Sequence, residues 1–193
     1  MILEGIVTTV APSGEVNIAP MGPRVEADMQ RFLLRPFHTA QTYRNLKAHG
    51  EGVLHVTDDV LLLARAALGD VDPRPALLPA ERVRGWVLAD ACRAYEFRVI
   101  SLDDREERVS IEAEVLHVRW QRDFFGFNRA KHAVVEAAIL ATRTAFLPLA
   151  DIEADFARLA VLVDKTGGPR EHEAFGFLRA HLERVKAARE GGG

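Results

Sequence analysis

The order of the secondary-structure signals constrains the fold more than any other feature of this sequence. Residues 2–19 hold two segments rich in β-branched side chains around the turn sequence Ala-Pro-Ser-Gly, which predicts a β-hairpin. Residues 91–101 and 107–120 predict a second hairpin, in which apolar and polar residues alternate along the second strand. Strands followed by helices are typical of an α+β fold, and we expect the antiparallel sheet to close into a small barrel because closure removes exposed edges.

Helical patterns fill the last third of the chain. We expect Asn128 to cap a long helix that runs to Pro148. Asp151 is expected to begin a second helix, and residues 170–189 place apolar side chains on one side of a third. The last two helices are predicted to form an αα-hairpin.

A chain of 193 residues suits one domain with a small addition. We therefore predict a barrel domain over residues 1–126 and a C-terminal helical appendage over residues 127–193, made of the long helix and the αα-hairpin. The chain ends in three glycines, which we expect to be frayed.

Two shorter helices are predicted between the hairpins. Thr39 is a good N-cap for the first, which should end at Gly50. Asp58 or Asp59 is expected to cap the second. Residues 70–80 carry three prolines and read as a loop.

The charge balance argues against two classes of partner. The chain has 25 Lys and Arg against 28 Asp and Glu, a net charge of -3 with no basic cluster, so we expect neither nucleic acid nor a membrane surface as a partner. No apolar run approaches the roughly 20 residues of a membrane span. The single cysteine, Cys92, and the lack of a secretory leader predict a reducing, cytoplasmic location.

Recognisable catalytic and metal-binding motifs are absent from the sequence. It contains no HExxH motif, no cysteine pair and no carboxylate-rich calcium loop, and none of its seven histidines has the i,i+4 spacing of a helical ligand pair. It also lacks GxSxG, GxxxxGK[ST] and GxGxxG. We therefore predict no metal site and assign no catalytic residue, and a hydrolase or nucleotide kinase has little support.

Packing alone does not explain the segment from Asn17 to Gly22, with the sequence Asn-Ile-Ala-Pro-Met-Gly. A strand of small residues with a proline presents its backbone rather than large side chains, so a flat ligand can approach it closely. The alternative is a plain edge strand bent by Pro20.

A second such segment runs from Arg35 to Leu46. Thr39 and Thr42 lie three residues apart at the start of the predicted helix, where free N–H groups and the positive end of the dipole favour an anion. Together these groups are suited to a phosphate monoester. The alternative is that Thr39 only caps the helix and Thr42 faces solvent.

Taken together, the two segments resemble the FMN-binding split-barrel superfamily, especially its flavin-reductase-like branch, where Asn-x-Ala-Pro and Thr-x-x-Asn-Leu elements occur in this order. The whole chain is more similar to the flavoprotein family known as domain of unknown function 447. That resemblance rests on EGIVTT (4–9), NIAPMG (17–22), RPFHTAQTYRNL (35–46), VTDD (56–59) and FNRAKHAVVEAAILATR (127–143).

The resemblance implies a set of cofactor-binding residues. Four would lie beside the isoalloxazine ring: Ala19, Pro20, Met21 and Gly22. Three would hold the FMN phosphate, and two would support them: Thr39, Gln41 and Thr42, with Tyr43 and Asn45. Two at the head of the long helix would serve the phosphate or a partner subunit: Asn128 and Arg129. Many relatives have a basic residue near the phosphate loop, so here the counter-charge must come from Arg35, Arg44 or Arg129.

The resemblance also implies a function. It implies a split barrel that binds FMN at the interface of a homodimer and acts as an oxidoreductase of the flavin-reductase type, with NAD(P)H or a small molecule as reaction partner. Three alternatives stay open: a non-catalytic FMN carrier or sensor, a split-barrel reductase that uses the deazaflavin F420, and a structural dimer without cofactor.

Overall fold

The computed structural model describes residues 1–191, and the chain packs as two compact units. The first comprises Met1–Thr57 and Pro73–Phe124, and the second comprises Asp58–Asp72 and the chain from Phe125 onward. The predicted boundary at 126/127 stays a prediction. The three terminal glycines are predicted to be frayed, and the last two of them lie outside the described residues.

One antiparallel sheet forms most of the first unit. Its strands, in chain order, are β1 (Gly5–Val10), β2 (Val16–Met21), β3 (Arg24–Val25), β4 (Arg31–Leu34), β5 (Glu51–Val56), β8 (Arg93–Asp103) and β9 (Ser110–Trp120). They lie in the order β2-β1-β5-β8-β9-β4-β3. Helix α1 (Gln41–His49) connects β4 to β5, and a small second sheet pairs β6 (Leu77–Pro79) with β7 (Trp86–Leu88).

The two ends of this sheet come together at the start of the chain. Ile2 forms an antiparallel bridge with Arg24, and the Leu3 amide donates to the Pro23 carbonyl at 3.0 Å. The segment that continues into β1 therefore also pairs with β3, which curls the sheet into a barrel. Strand β2 is left at an edge, the position in a sheet that tolerates a proline such as Pro20. The predicted α+β fold with an antiparallel split barrel and C-terminal helices is confirmed.

Apolar side chains from opposite sides of the curled sheet fill its interior. The rings of Phe32 and Phe97 meet edge to face, with centroids 5.1 Å apart, on strands β4 and β8. Leu34, Leu54 and Ile111 are buried in the same core. Burying side chains of this size stabilises a fold by roughly 1.5–3 kcal/mol each, so this core contributes much of the stability of the barrel.

Two local expectations for the first unit are wrong. Helix α1 begins at Gln41 and its N-cap is Ala40 rather than Thr39, since Ala40 has the extended N-cap backbone, although it supplies no side-chain bond. The Ala40 amide donates to the Phe37 carbonyl, so Thr39 lies in the preceding turn. Residues 70–80 are not entirely loop, since they include β6, which is too short and too rich in proline to show an alternating pattern.

Helices make up the second unit: α2 (Val60–Ala67), α3 (Arg129–Ala141), α4 (Leu149–Thr166) and α5 (Pro169–Glu190). Asp59 caps α2 by accepting from the Leu62 amide, and Asn128 caps α3 by accepting from the Lys131 amide, as the sequence predicted. The αα-hairpin of α4 and α5 is also confirmed, with the rings of Phe156 and Phe175 5.5 Å apart.

Helix α3 is shorter than predicted. It ends at Ala141 rather than near Pro148, because the Arg143 amide turns back to the Leu140 carbonyl and the Thr142 hydroxyl to the Ile139 carbonyl. The alanine-rich face of α3 packs against α2, α4 and α5 of its own unit. Helix α4 begins at Leu149, so Asp151 lies in its first turn and does not start it.

Candidate functional site

A hydrogen bond joins the two segments that packing did not explain. Asn17 on β2 donates from Nδ2 to Thr42 Oγ1 at the start of α1, over 3.1 Å. Thr42 is only 1% exposed, so its hydroxyl lies between the helix and the strand. In the described part of the chain the hydroxyl hydrogen of Thr42 meets no acceptor. Thr42 therefore keeps one donor available at this place.

This bond belongs to a larger set of neutral side chains, which we call the amide network: Thr9, Asn17, Gln41, Thr42 and Asn45. Asn45 donates to Thr9 Oγ1 at 3.0 Å and accepts from Gln41 Nε2 at 2.7 Å. Thr9 and Asn45 are completely buried, whereas Gln41 is exposed. The network thus begins inside the barrel and reaches solvent at the first residue of α1.

The start of α1 is open to an anion. Its N-cap residue, Ala40, contributes no side-chain hydrogen bond, and the first turn contains no acidic residue. The first N–H groups of a helix have no partner within the helix, and the dipole places partial positive charge there. Thr39 precedes this turn and is exposed. The first turn of α1 therefore offers main-chain N–H donors and carries no acidic side chain.

Strand β2 offers a side-chain-poor edge next to this helix start. Ala19, Pro20 and Met21 are each half-buried, and β2 pairs with β1 on one side only. Gly22 follows directly, and a Cβ there would lie 3.0 Å from Ile2 Cγ2 and 3.1 Å from Glu4 Oε1. A side chain at Gly22 would therefore require small shifts of the Ile2 and Glu4 side chains.

Tyr43 connects α1 to the turn between β8 and β9. Its hydroxyl donates to Asp104 at 2.8 Å, and Lys47 donates to both, at 3.0 Å to Tyr43 and 2.7 Å to Asp104. The hydrogen bond to Asp104 raises the pKa of Lys47, and the bond from Lys47 lowers the pKa of Asp104. Tyr43 thus holds the turn against α1.

The two predicted residues on α3 lie in the second unit. Asn128 is hydrogen-bonded there through both of its amide atoms, since Oδ1 accepts from the Lys131 amide and Nδ2 donates one hydrogen to the Thr166 carbonyl, each at 3.0 Å. Arg129 is exposed. Their participation in a cofactor site stays a prediction.

Two kinds of feature, metal-ligand clusters and membrane-spanning helices, are absent from the part of the chain that the structure describes. It contains no cluster of three or more histidine, cysteine, aspartate or glutamate side chains arranged for a metal ion. None of its helices combines the length and the apolar character of a membrane span.

Comparison with protein families gives two adjoining matches. Residues 3–122 match the N-terminal domain of the family described as "Protein of unknown function (DUF447)", and residues 128–180 match its second model. The chain belongs to the DUF447 family. Most of the described chain is therefore covered by the two DUF447 models, which meet between Arg122 and Asn128.

Solved structures share the fold of this DUF447 member. The FMN-bound DUF447 protein MM1853 from Methanosarcina mazei superimposes with a TM-score of 0.80 at 22% identity, covering 93% of this chain and 94% of that one. Flavoredoxin of Desulfovibrio vulgaris (Miyazaki F) has a TM-score of 0.51 at 13% identity over 62% of this chain and 69% of its own. The NADH:FAD oxidoreductase SgcE6 of Streptomyces globisporus has 0.52 at 15% identity over 62% and 70%.

Sequence reasoning overlooked several residues that organise the candidate site of this DUF447 protein. Thr9 was not among the predicted site residues, yet two amides donate to its hydroxyl. The signal was available, because Thr8 and Thr9 place two hydroxyls in an otherwise apolar buried strand. Asp104 and Lys47 had no comparable signal, since charged residues in turns and on helix surfaces are common.

Proposed function

We propose that this chain is an FMN-binding flavoprotein that acts as an oxidoreductase of the flavin-reductase type. The observation that carries the proposal is the hydrogen bond between Asn17 and Thr42, 3.1 Å long. It holds an open helix start beside a side-chain-poor edge strand. A ligand with a phosphate at one end and a flat ring at the other needs this combination.

The residues present fit FMN. Thr39, Gln41 and Thr42 would hold the phosphate with hydroxyl, amide and helix-terminal N–H donors. The main chain of Ala19, Pro20, Met21 and Gly22 would lie along the ring, with Tyr43 and Asn45 supporting the helix start. When bound, FMN supplies the hydride- or electron-transfer chemistry, and the chain binds it, orients it and shields it from water.

The comparisons support this proposal. A member of the same family, alike over 93% of this chain, is described as FMN-bound. Proteins that share the barrel include a flavoredoxin and an NADH:FAD oxidoreductase. For the present chain we accordingly propose NAD(P)H or another small reductant as the reaction partner.

We further propose that the protein is a homodimer with the flavin at its interface. Strand β9 exposes three apolar side chains, Leu116, Val118 and Trp120, which are 39%, 42% and 62% exposed. An exposed apolar surface of this kind is typical of an interface. Asn128 and Arg129 would then add donors from the partner subunit. The cytoplasmic location stays a prediction.

The proposal is tested by titrating the flavin-free protein with FMN while recording flavin fluorescence. Thr42→Val removes a buried hydroxyl donor to a charged group, worth about 1.5–3 kcal/mol, so we expect FMN to bind tenfold to about a hundredfold more weakly. Thr42→Ser keeps the hydroxyl and should stay within about threefold of the parent protein. Equal affinity for all three proteins would contradict the phosphate assignment.

A second measurement separates an enzyme from a carrier. The FMN-loaded protein is mixed with NADH or NADPH, and the loss of nicotinamide absorbance is followed. Oxidation well above the rate of free FMN supports the reductase, whereas tight FMN binding without oxidation identifies a carrier or sensor.

A further inference from the structure

Two arginines lie side by side where the segment that leads into α1 meets the segment that leads into β9. They are Arg35 and Arg108. Arg35 Nη2 donates to the Arg108 carbonyl at 3.4 Å, and Arg108 Nη1 donates to the Arg35 carbonyl at 3.5 Å. Both bonds are long, near the limit of a hydrogen bond. The Arg108 guanidinium also lies 4.2 Å from the centre of the Phe37 ring. The pair thus occupies one surface together with an aromatic ring.

The backbone fixes this surface firmly. The Val109 amide donates to the Pro36 carbonyl at 2.9 Å, and the His38 amide donates to the Glu107 carbonyl at 3.2 Å. Phe37 and Arg108 face each other in an isolated β-bridge. Since Tyr43 and Lys47 also hold Asp104 of the same turn, the two guanidinium groups start from a rigid frame.

The pair differs from the cations around it in its ion pairing. Neighbouring cations have acidic partners: Arg105 pairs with Asp103 at 2.6 Å and Lys47 with Asp104 at 2.7 Å. Among the described residues, no carboxylate pairs with Arg35 or Arg108. In addition, Arg35 Nε is buried and has no acceptor. A buried donor without a partner is costly, and two adjacent like charges repel, so an anion placed here would relieve both.

We propose that Arg35 and Arg108 form an anion subsite for the phosphate of a phosphorylated aromatic ligand. Guanidinium groups match the geometry of phosphate oxygens, and Phe37, 42% exposed, adds a flat apolar surface beside them. The phosphate belongs either to FMN itself or to a nucleotide co-substrate such as the electron donor. The FMN alternative rests on the proposed function, whereas the nucleotide alternative does not.

The experiment compares three proteins with three ligands, and a fourth protein serves as a rescue variant. The proteins are the parent, Arg108→Gln, and the control Arg105→Gln, whose arginine already pairs with Asp103 in the same turn. Each is titrated with riboflavin and with FMN by flavin fluorescence, and with ADP by calorimetry. Thermal unfolding checks that all three are folded, and Arg108→Lys tests whether charge alone restores binding.

We expect Arg108→Gln to weaken one phosphorylated ligand about tenfold or more while riboflavin binding stays unchanged, and Arg105→Gln to leave all ligands unaffected. Selective loss of FMN affinity assigns the subsite to the flavin phosphate, and selective loss of ADP affinity assigns it to a nucleotide. Unchanged affinity for both FMN and ADP in Arg108→Gln, or equal losses in the two variants, overturns the inference. If the parent protein binds neither flavin, the proposed function fails while the ADP titration still decides the subsite.

Discussion

The first unit contains two sets of buried polar side chains that are used in different ways. The amide network is bonded through its own side chains and ends in solvent at Gln41. The other set, which we call the hairpin anchors, consists of His55 and Glu96, both completely buried. The anchors bond to backbone groups, most of which belong to the segment that carries β6 and β7.

The anchors use their hydrogen bonds to hold backbone. The Leu88 amide donates to His55 Nε2 at 3.0 Å, so the proton is on Nδ1, which donates to the Ile6 carbonyl at 3.1 Å. The Glu96 carboxylate accepts from the Glu81 amide at 2.9 Å and the Arg82 amide at 2.6 Å. Buried polarity alone therefore does not mark a binding site, and the Thr42 hydroxyl differs from the anchors in that its hydrogen is not used among the described residues.

Loss of an anchor should produce the largest effect on stability. Glu96→Ala leaves two backbone N–H groups without their charged acceptor, and we expect the free energy of unfolding to fall by roughly 3–4 kcal/mol. Urea unfolding followed by tryptophan fluorescence measures this change. Glu51→Ala is the matched control, since its half-exposed carboxylate accepts from the Arg84 amide alone, and it should cost less than about 1 kcal/mol. A small loss in Glu96→Ala would break the distinction between the two sets.

Low pH should reduce the stability of the protein through His55, the other hairpin anchor. Burial lowers the pKa of His55 to about 4, because the interior disfavours the charged ring. The fold therefore favours neutral His55, and its contribution is complete above about pH 6.5 and is lost as the pH falls towards 4. This amounts to about 3 kcal/mol.

The control for that effect is His55→Gln, whose side chain can still accept from the Leu88 amide and donate to the Ile6 carbonyl. Urea unfolding at several pH values should show a shallower loss between pH 6.5 and 4 in this variant. Identical pH profiles for the two proteins would show that other groups cause the acid sensitivity.

The centre of the amide network should affect both stability and binding. Asn45→Ala removes the donor to Thr9 and the acceptor for Gln41, and we expect a loss of about 2 kcal/mol in unfolding free energy. FMN should also bind more weakly, unlike in Glu96→Ala, where the folded protein should keep its affinity. Parallel urea unfolding and FMN titration of the two variants test this contrast.

The exposed end of the network should give the smallest change in stability. Gln41→Ala lies at the surface, so the unfolding free energy should change by less than about 0.5 kcal/mol. If Gln41 holds the phosphate, FMN affinity should still fall about threefold to tenfold. A stability loss without an affinity loss would assign Gln41 to the helix rather than to the site.

Much of the fold follows from patterns that act locally. Alternation along residues 109–115, the turn at 11–14 and the caps at Asp59 and Asn128 each fix an element through neighbouring residues alone, and these predictions are confirmed. The short strand β6 was not predicted because it is stabilised by pairing with β7, which is not visible in its own sequence. The N-cap of α1 was wrongly predicted for a similar reason, since residues 36–38 pair with residues 107–109, far along the chain.

The site was predictable to the extent that its motifs are contiguous. Residues 17–22 and 39–45 were selected together, and the structure links them through Asn17 and Thr42. What the sequence did not show is which donors are already used. Thr9, Asp104 and the arginine pair acquire their roles only when strands distant in sequence are brought together.

The pairing of β4 with β9 also determines when this protein can fold during its synthesis. Arg31 pairs with Glu114 and Leu34 with Ile111, so β4 leaves the ribosome about 80 residues before its partner. At a synthesis rate of roughly 5–20 residues per second, the side chains of Phe32 and Leu34 lack their packing partners on β9 for several seconds. Helix α2 waits in the same way for the helices that follow residue 125. The nascent chain thus exposes apolar surface until its last third has been made, which is the condition under which cellular chaperones engage a polypeptide.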